Sequence, residues 1–493
     1  MSVKADTIAT DGSKHALSAS RFRHNVVRDL ANPELRNNFR MAMDHLVDKR
    51  RQAFSSEDEL ETLRRKCQLI KQRCLRKLPE LLEQLESKLE QNGIRVHWAE
   101  TAAEANDIIA ALIQGRNGKQ VVKGKSMVSE ETALNDHLLG KGIQCLETDM
   151  GEFIVQMAGE HPSHIIMPAI HQNKRQVAEL FTKQVPGFDY STDVDTLIQT
   201  GRETLRTKFC HADVGVTGVN FAVAETGTLC LVENEGNGRM VTTVPDMHIA
   251  ITGIEKVVEF LEDVPPLLSL LTRSATGQII STYFNMITHP RRRGEKDGPK
   301  EVHLVLLDNG RSQAFADEEL RQTLQCIRCG ACMNHCPVYT RIGGHAYGTV
   351  YPGPIGKIIS PHMLGLDATR DLPTASSLCG ACGEVCPVKI PIPKILLRLR
   401  KESVKPKAES AVVKGQGSSR KSLEAGIWSL WRRLNTSPAI YRAVLWLASR
   451  GRWLMPKKAG AWTRYRTLPR PAPRPLRELV KQREKRGEWD EKR

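Results

Sequence analysis

Apolar residues recur at helical spacing early in the chain, and the period then changes. Leu63, Cys67, Ile70, Cys74, Leu78, Leu82, Leu85 and Leu89 fall three, four or seven apart, which predicts a long amphipathic helix over 56–92. Pro79 should kink or divide it, and Gly93 marks its end. Upstream, FRHNVVRDLANPELRNNFRMAMDHLVDKRRQAF reads as two short helices around Pro33. Cys67 and Cys74 lie one heptad apart on the apolar face, as expected of cysteines that pack as small hydrophobes.

From 94 to 311 short apolar runs alternate with helical stretches. IRVHW (94–98), QVVKG (120–124), IQCLE (143–147), HIIMP (164–168), TLCLV (228–232) and HIAITG (248–253) read as strands, and EVHLVLLDNGR (301–311) as the last strand and its turn. ETAAEANDIIAALIQ, SEETALNDHLL, NKRQVAELFTKQ and DVDTLIQTGRETLRTKF read as the helices between them. Such alternation predicts an α/β domain with a largely parallel sheet. Residues 312–400 are turn-rich. KPKAESAVVKGQGSSRK (405–421) has no core-forming pattern and reads as a linker. Four segments result: 1–93 helical, 94–311 α/β, 312–400 turn-rich and 401–493 a tail.

Charge sharpens the picture of the tail. Residues 401–493 carry 24 Lys+Arg against 8 Asp+Glu, so they hold the whole net charge of +16 and leave 48 of each sign before them. The tail also holds Trp428, Trp431, Trp446, Trp453, Trp462 and Trp489, with a Pro-rich LPRPAPRPLREL (468–479) between. A basic, tryptophan-bearing tail suggests an anionic partner. IWSLWRRL and YRAVLWLASRGRWL suit amphipathic helices for a partner or membrane surface better than nucleic acid, which is not expected. The polar start MSVKADTIATDGSK and the lack of an apolar run of about 18 residues predict neither a secretory signal nor a spanning helix. A cytoplasmic protein, with peripheral docking at the inner membrane face open to it, is the expectation.

Seven of the 12 cysteines lie between 326 and 386. CIRCGACMNHCP places Cys326, Cys329, Cys332 and Cys336 in the C-x2-C-x2-C-x3-C-P spacing of bacterial ferredoxins. In that pattern three thiolates of one loop wrap one cluster, and the fourth cysteine serves the other. SSLCGACGEVCP repeats the run with Cys379, Cys382 and Cys386, and Ser376 stands where the missing cysteine would fall. The crossed rule gives Cys326, Cys329, Cys332 and Cys386 to one cluster. It gives Cys336, Cys379 and Cys382 to the other, whose fourth corner is open to Ser376, water or an external ligand. Structural zinc, bound as two separated pairs, explains a three-plus-one run and its near-copy poorly.

Three stretches of the α/β segment suggest a pocket. VKGKSMVSEE puts Lys123, Lys125, Ser126 and Glu131 in a strand-to-helix turn that would suit an anion, although a plain helix capped by Ser129 fits equally. GEHPSHIIMPAIH carries His161, His164 and His171, at no standard zinc spacing. GVTGVNFAVAETGTLCLVENEGNGR places Asn220, Glu225, Thr226 and Asn234 among small residues, with Glu225 the candidate cleft carboxylate. Neither a G-x-G-x-x-G fingerprint nor a Walker A motif occurs, so nucleotide binding has no support.

LRNNFRMAMDHLVDKR, KGKSMVSEE, GVTGVNFAVAETGTL, GPKEVHLVLLDNGRS, CIRCGACMNHCPVY, GGHAYGTVYPGPIG and LCGACGEVCPVKIPIP together resemble the lactate utilization protein B family, over about 20–493. The resemblance implies an α/β lactate-utilisation (LUD) domain, similar in fold to the ribose-phosphate isomerase and CoA-transferase group, followed by an α-helical ferredoxin-type dicluster domain. It implies two 4Fe-4S clusters on the seven cysteines, and electron transfer in bacterial oxidation of L-lactate to pyruvate. Its implied partners are a cysteine-rich subunit and a smaller LUD protein. Other readings are a subunit of another 2-hydroxy-acid or heterodisulfide-type oxidoreductase and, from ENEG at 233–236, a CoA-transferase-like enzyme, in which clusters would have no task. No substrate-oxidising residue is evident.

Overall fold

The computed structural model describes residues 17–403, 423–456, 458, 460–463 and 467–486. The linker expected over 405–421 and Trp489 lie outside the described residues.

Helix α1 (Phe22–Leu30) leads to α2 (Pro33–Gln52), which starts where Asn32 accepts the Leu35 amide and Pro33 takes a first-turn position that needs no N–H donor. Two helices do flank Pro33, but the second runs for 20 residues. The long helix expected over 56–92 is divided as Pro79 requires, into α3 (Glu57–Arg76, capped by Ser56) and α4 (Leu78–Gln91). Cys67 and Cys74 are buried on its inner face.

The chain then builds a six-stranded, fully parallel sheet in the order β1 (Arg95–Ala99), β10 (Glu301–Leu307), β7 (Met247–Gly253), β4 (Val214–Gly218), β2 (Gln120–Lys123), β3 (Gln144–Glu147). The strand over 301–307, last in sequence, is inserted between β1 and β7. Its side chains alternate: Val302, Leu304 and Leu306 enter the core shared with α3 and α4, while Val305 and Leu307 enter the one under helix α5 (Ala102–Gly115). Both faces are covered, which is why the central strands read as unbroken apolar runs.

A second, mixed sheet has the order β8 (Val257–Val258), β5 (Phe221–Val223), β6 (Thr228–Glu233), β9 (Tyr283–Ile287). TLCLV is therefore a strand of this sheet, antiparallel to both neighbours, and no member of the parallel one. HIIMP forms no strand. His164 Nδ1 accepts from the Ile166 and Met167 amides, folding the run into turns before Pro168. SEETALNDHLL breaks at Ala133, whose φ of 52° separates helices Met127–Glu131 and Leu134–Gly140.

Helices α1 to α4, the second sheet and the cysteine-bearing segment share one apolar core. The C-terminal unit, from Gly417, contains helices Leu423–Thr436, Pro438–Arg450 and Leu476–Lys485. Within it Trp428 and Trp431 meet edge to face at 5.8 Å, and Arg450 lies 4.6 Å from the Trp446 ring. Ile427, Leu430, Leu447 and Leu454 are exposed there. Among the described residues no helix is long and apolar enough to cross a membrane.

Candidate iron–sulfur site

The two cysteine runs share one backbone, offset by 50 positions. Arg328 and Leu378 are both left-handed, at φ 62° and 56°, and each precedes the second position of its run. Gly330 (φ 85°) and Gly380 (φ 92°) follow in the same conformation, which glycine adopts without strain. Each then opens a four-residue helix, Ala331–Asn334 carrying Cys332 and Ala381–Glu384 carrying Cys382, and the two helices pack together. Any Cβ at Gly330 would also meet His164 Cε1 at 3.1 Å.

The match extends to the position without a cysteine. The Arg328 amide donates to Cys326 Sγ at 3.3 Å, and the Leu378 amide donates to Ser376 Oγ at 3.2 Å. Ser376 and Cys326 thus sit in the same local turn. Ser376 also lines one small cavity with Cys336, Cys379 and Cys382. Cys326, Cys329, Cys332 and Cys386 form the other group. Burial, then repulsion from Cys336, pushes the Cys382 thiol up to about 11. Burial likewise pushes Cys386 up to about 11 with Cys326 adding to it, and raises Cys329 and Cys332, each with members of its own group adding to it.

Buried cysteines whose thiolates would repel one another suit a cationic guest. A tetrahedral zinc ion with Zn–S bonds of about 2.3 Å holds its sulfurs roughly 3.8 Å apart. Among the described residues, no three of these sulfurs lie within 4.8 Å of one another. The two groups, four cysteines in one and three with Ser376 in the other, repeat the ligand pattern of dicluster ferredoxins and not the paired pattern of a zinc site.

Buried cations surround both groups. Lys357, 1% exposed on helix Gly353–Leu364, donates to Cys336 Sγ at 3.8 Å and lies 5.5 Å from the Tyr347 ring. Lys71, Lys256 and Arg328 are buried and feel the charge of Cys326, and buried Arg50 feels that of Cys329. Glu255 joins this set to the α/β domain. It pairs with Arg311 Nε at 2.5 Å and Arg328 Nη2 at 3.1 Å, and Arg311 also grips both oxygens of Glu131 at 2.8 and 2.9 Å. None of these cations carries a sequence signal, since Lys and Arg ordinarily read as solvated.

The pocket candidates scatter. Lys125 and Asn220 line a cavity of about 540 Å³ that also reaches Arg328 and Tyr351. Glu131 is outside that lining, held by Arg311, Asn309 and the Tyr351 hydroxyl. Glu225 is exposed and accepts the Leu261 amide, so it lines no cleft. Lys123 is fully buried against Glu147 (2.7 Å) and Glu130 (3.2 Å), which neutralise it. The helix cap is Ser126, accepting from the Ser129 amide. The three histidines do not converge. His164 pairs with Asn334 and His171 with Glu160 and Ser163, while the His161 carbonyl accepts from His345.

Comparison with known proteins draws these features together. A LUD domain profile matches residues 82–307, a 4Fe-4S dicluster domain profile 322–390, and a lactate utilisation protein B C-terminal profile 398–485. Lactate utilization protein B of Macrococcus caseolyticus is 40% identical over 477 residues, 94% of this chain and 98% of that protein. The chain belongs to the lactate utilization protein B family. The Bacillus subtilis (strain 168) member is 42% identical over 413 residues, covering 83% of this chain and 86% of its own. An uncharacterized electron transport protein of Escherichia coli (strain K12), YkgF, is 39% identical over 459 residues, 92% of this chain and 94% of its own. This family member carries a LUD domain of mixed α/β structure followed by a 4Fe-4S dicluster domain.

Proposed function

We propose that this family member is the electron-relay subunit of a system that oxidises L-lactate to pyruvate. The observation that carries the reading is the duplicated turn-and-helix backbone at 326–336 and 376–386, which brings seven cysteines into two groups. Cys326, Cys329, Cys332 and Cys386 hold one 4Fe-4S cluster, and Cys336, Cys379 and Cys382 a second with Ser376 at its fourth corner. Such clusters, when bound, take up and release single electrons.

The chain's own residues tune that exchange. Amides of Arg328, Tyr339 and Ile390 donate to Cys326, Cys336 and Cys386 at 3.3, 3.5 and 3.3 Å, stabilising charge on sulfur. Buried Lys357 and the cations about Cys326 favour the more negative, reduced state. We read the six-stranded sheet as that of the ribose-phosphate isomerase and CoA-transferase group. A cysteine-rich subunit and a smaller LUD protein are the partners. The basic C-terminal unit, with exposed Trp428 and Trp431, docks a partner or the inner membrane face on the cytoplasmic side.

Growth of a deletion strain on L-lactate tests the reading. Lost growth, restored by the wild-type chain and not by a Cys329→Ser, Cys332→Ser double variant, is expected; unimpaired growth contradicts it.

A further inference from the structure

The cavity of about 540 Å³ lies between the second sheet, the turn after β2, helix α2 and the first cysteine loop, and its lining carries charge of both signs. The lining includes Lys256 and Arg328, close enough to repel one another and both in the field of Cys326. Lys256 is 6% exposed, and its ammonium has no hydrogen-bond partner among the described residues. Arg328 uses Nη2 on Glu255 and leaves Nη1 without a partner. The same lining carries Asp149, Glu233 and Glu235, each already accepting backbone amides: Asp149 from Glu152, Glu233 from Gly238 and Arg239, and Glu235 from Met150. Burial and the neighbouring Asp149 push the Glu235 carboxyl up to about 7, with Lys125 opposing them.

Lys256, Arg328 with one unpartnered nitrogen, and a protonatable carboxyl thus share one cavity lining. Glu255 is the carboxylate that serves Arg328 and acts on Lys256, and it is shared with Arg311, so the buried positive charge is only partly balanced; an anion bound beside the two cations lowers that cost. Such a lining suits a small molecule that carries both a carboxylate and a hydrogen-bonding oxygen.

We propose that this cavity binds a small 2-hydroxy- or 2-oxo-monocarboxylate, its carboxylate held by Lys256 and Arg328 and its hydroxyl or oxo end turned toward Glu235. The assignment rests on the lactate reading and deepens it. It gives the LUD domain a task and sets the ligand beside Arg328, whose own amide bonds Cys326 Sγ.

Isothermal titration of the anaerobically purified full chain tests this, with pyruvate, L-lactate, the uncharged lactamide and inorganic phosphate as probes. Pyruvate or L-lactate should bind one per chain, and lactamide at least about tenfold more weakly, as expected when a charge-assisted contact is lost. Lys256→Met should weaken pyruvate about tenfold or more with iron and labile sulfide unchanged, and Lys256→Arg should restore binding. Where Lys256→Met loses iron, the lactamide comparison and Lys256→Arg decide. Absence of carboxylate binding by wild-type protein that retains its iron and labile sulfide overturns the inference and leaves the relay standing. Phosphate displacing pyruvate overturns the ligand class. A chain without labile sulfide fails the relay reading itself, whatever it binds.

Discussion

Lys357 Nζ donates a hydrogen bond to Cys336 Sγ across 3.8 Å, from a side chain only 1% exposed. Burial lowers the lysine's pKa and the nearby Cys336 and Cys382 oppose that shift, so the ammonium depends on negative charge at the sulfurs. The dependence is mutual. Lys357→Met should lower the reduction potential of the second cluster by tens of millivolts, where about 59 mV corresponds to a tenfold change in a one-electron equilibrium. A redox titration followed by EPR reads it; an unchanged potential contradicts it.

Ser376 reproduces the turn of Cys326 down to the hydrogen bond from the residue two positions on. Ser376→Cys should therefore supply a fourth thiolate without remodelling the backbone. The variant is expected to retain more iron after brief exposure to air than the wild type, by iron and labile-sulfide assay. Equal loss would show that Ser376 is not at the corner of the site.

Arg311 is 2% exposed and holds Glu131 and Glu255 together. Removing it strands two buried carboxylates. Arg311→Met should cost about 3–5 kcal/mol, the range for breaking a buried pair from one side. Replacing exposed Arg40, which faces Asp44 at 3.7 Å with both side chains largely solvated, should change little. Denaturant midpoints of the two variants check the contrast; similar small shifts would contradict it.

Acid should weaken the fold well above the carboxylate range. Burial holds His164, His248, His303 and His362 down to about 4. Unfolded histidine titrates near 6.5. Between these values the unfolded chain binds more protons than the folded one, so stability falls as pH drops from about 6.5 to 4. Glu255 adds a loss lower down. Despite burial, Arg311 and Arg328 hold it at about 2, so its contribution is present above about 4.5 and lost as pH falls toward 2. Chemical denaturation at pH 7, 6, 5 and 4 follows the histidine part, and a flat midpoint contradicts it.

Much of this organisation is legible in the sequence because it is local. Cysteine spacing, the offset that marks Ser376, the division at Pro79 and the alternation of strand and helix all depend on residues close together in the chain. What escapes is set by distant contacts. HIIMP has the composition of a strand, but His164 binds the amides that a neighbouring strand would need. VGVTG does form a central strand, and its glycines hide it: a Cβ at Gly215 would fall 2.1 Å from the Val241 carbonyl oxygen. Glu225 looked like a cleft carboxylate beside Asn220, yet it caps the chain at Leu261. The buried Lys71, Lys256, Arg328 and Lys357 are charged residues that only the assembled core and the sulfurs bring inside.

The central claim is that the seven cysteines hold two clusters that exchange electrons. Low-temperature EPR of the anaerobically purified, dithionite-reduced full chain tests it most directly. Two magnetically interacting four-iron signals, with labile sulfide to match, are the expected result. A colourless protein without labile sulfide, or one carrying a single zinc ion, would contradict it.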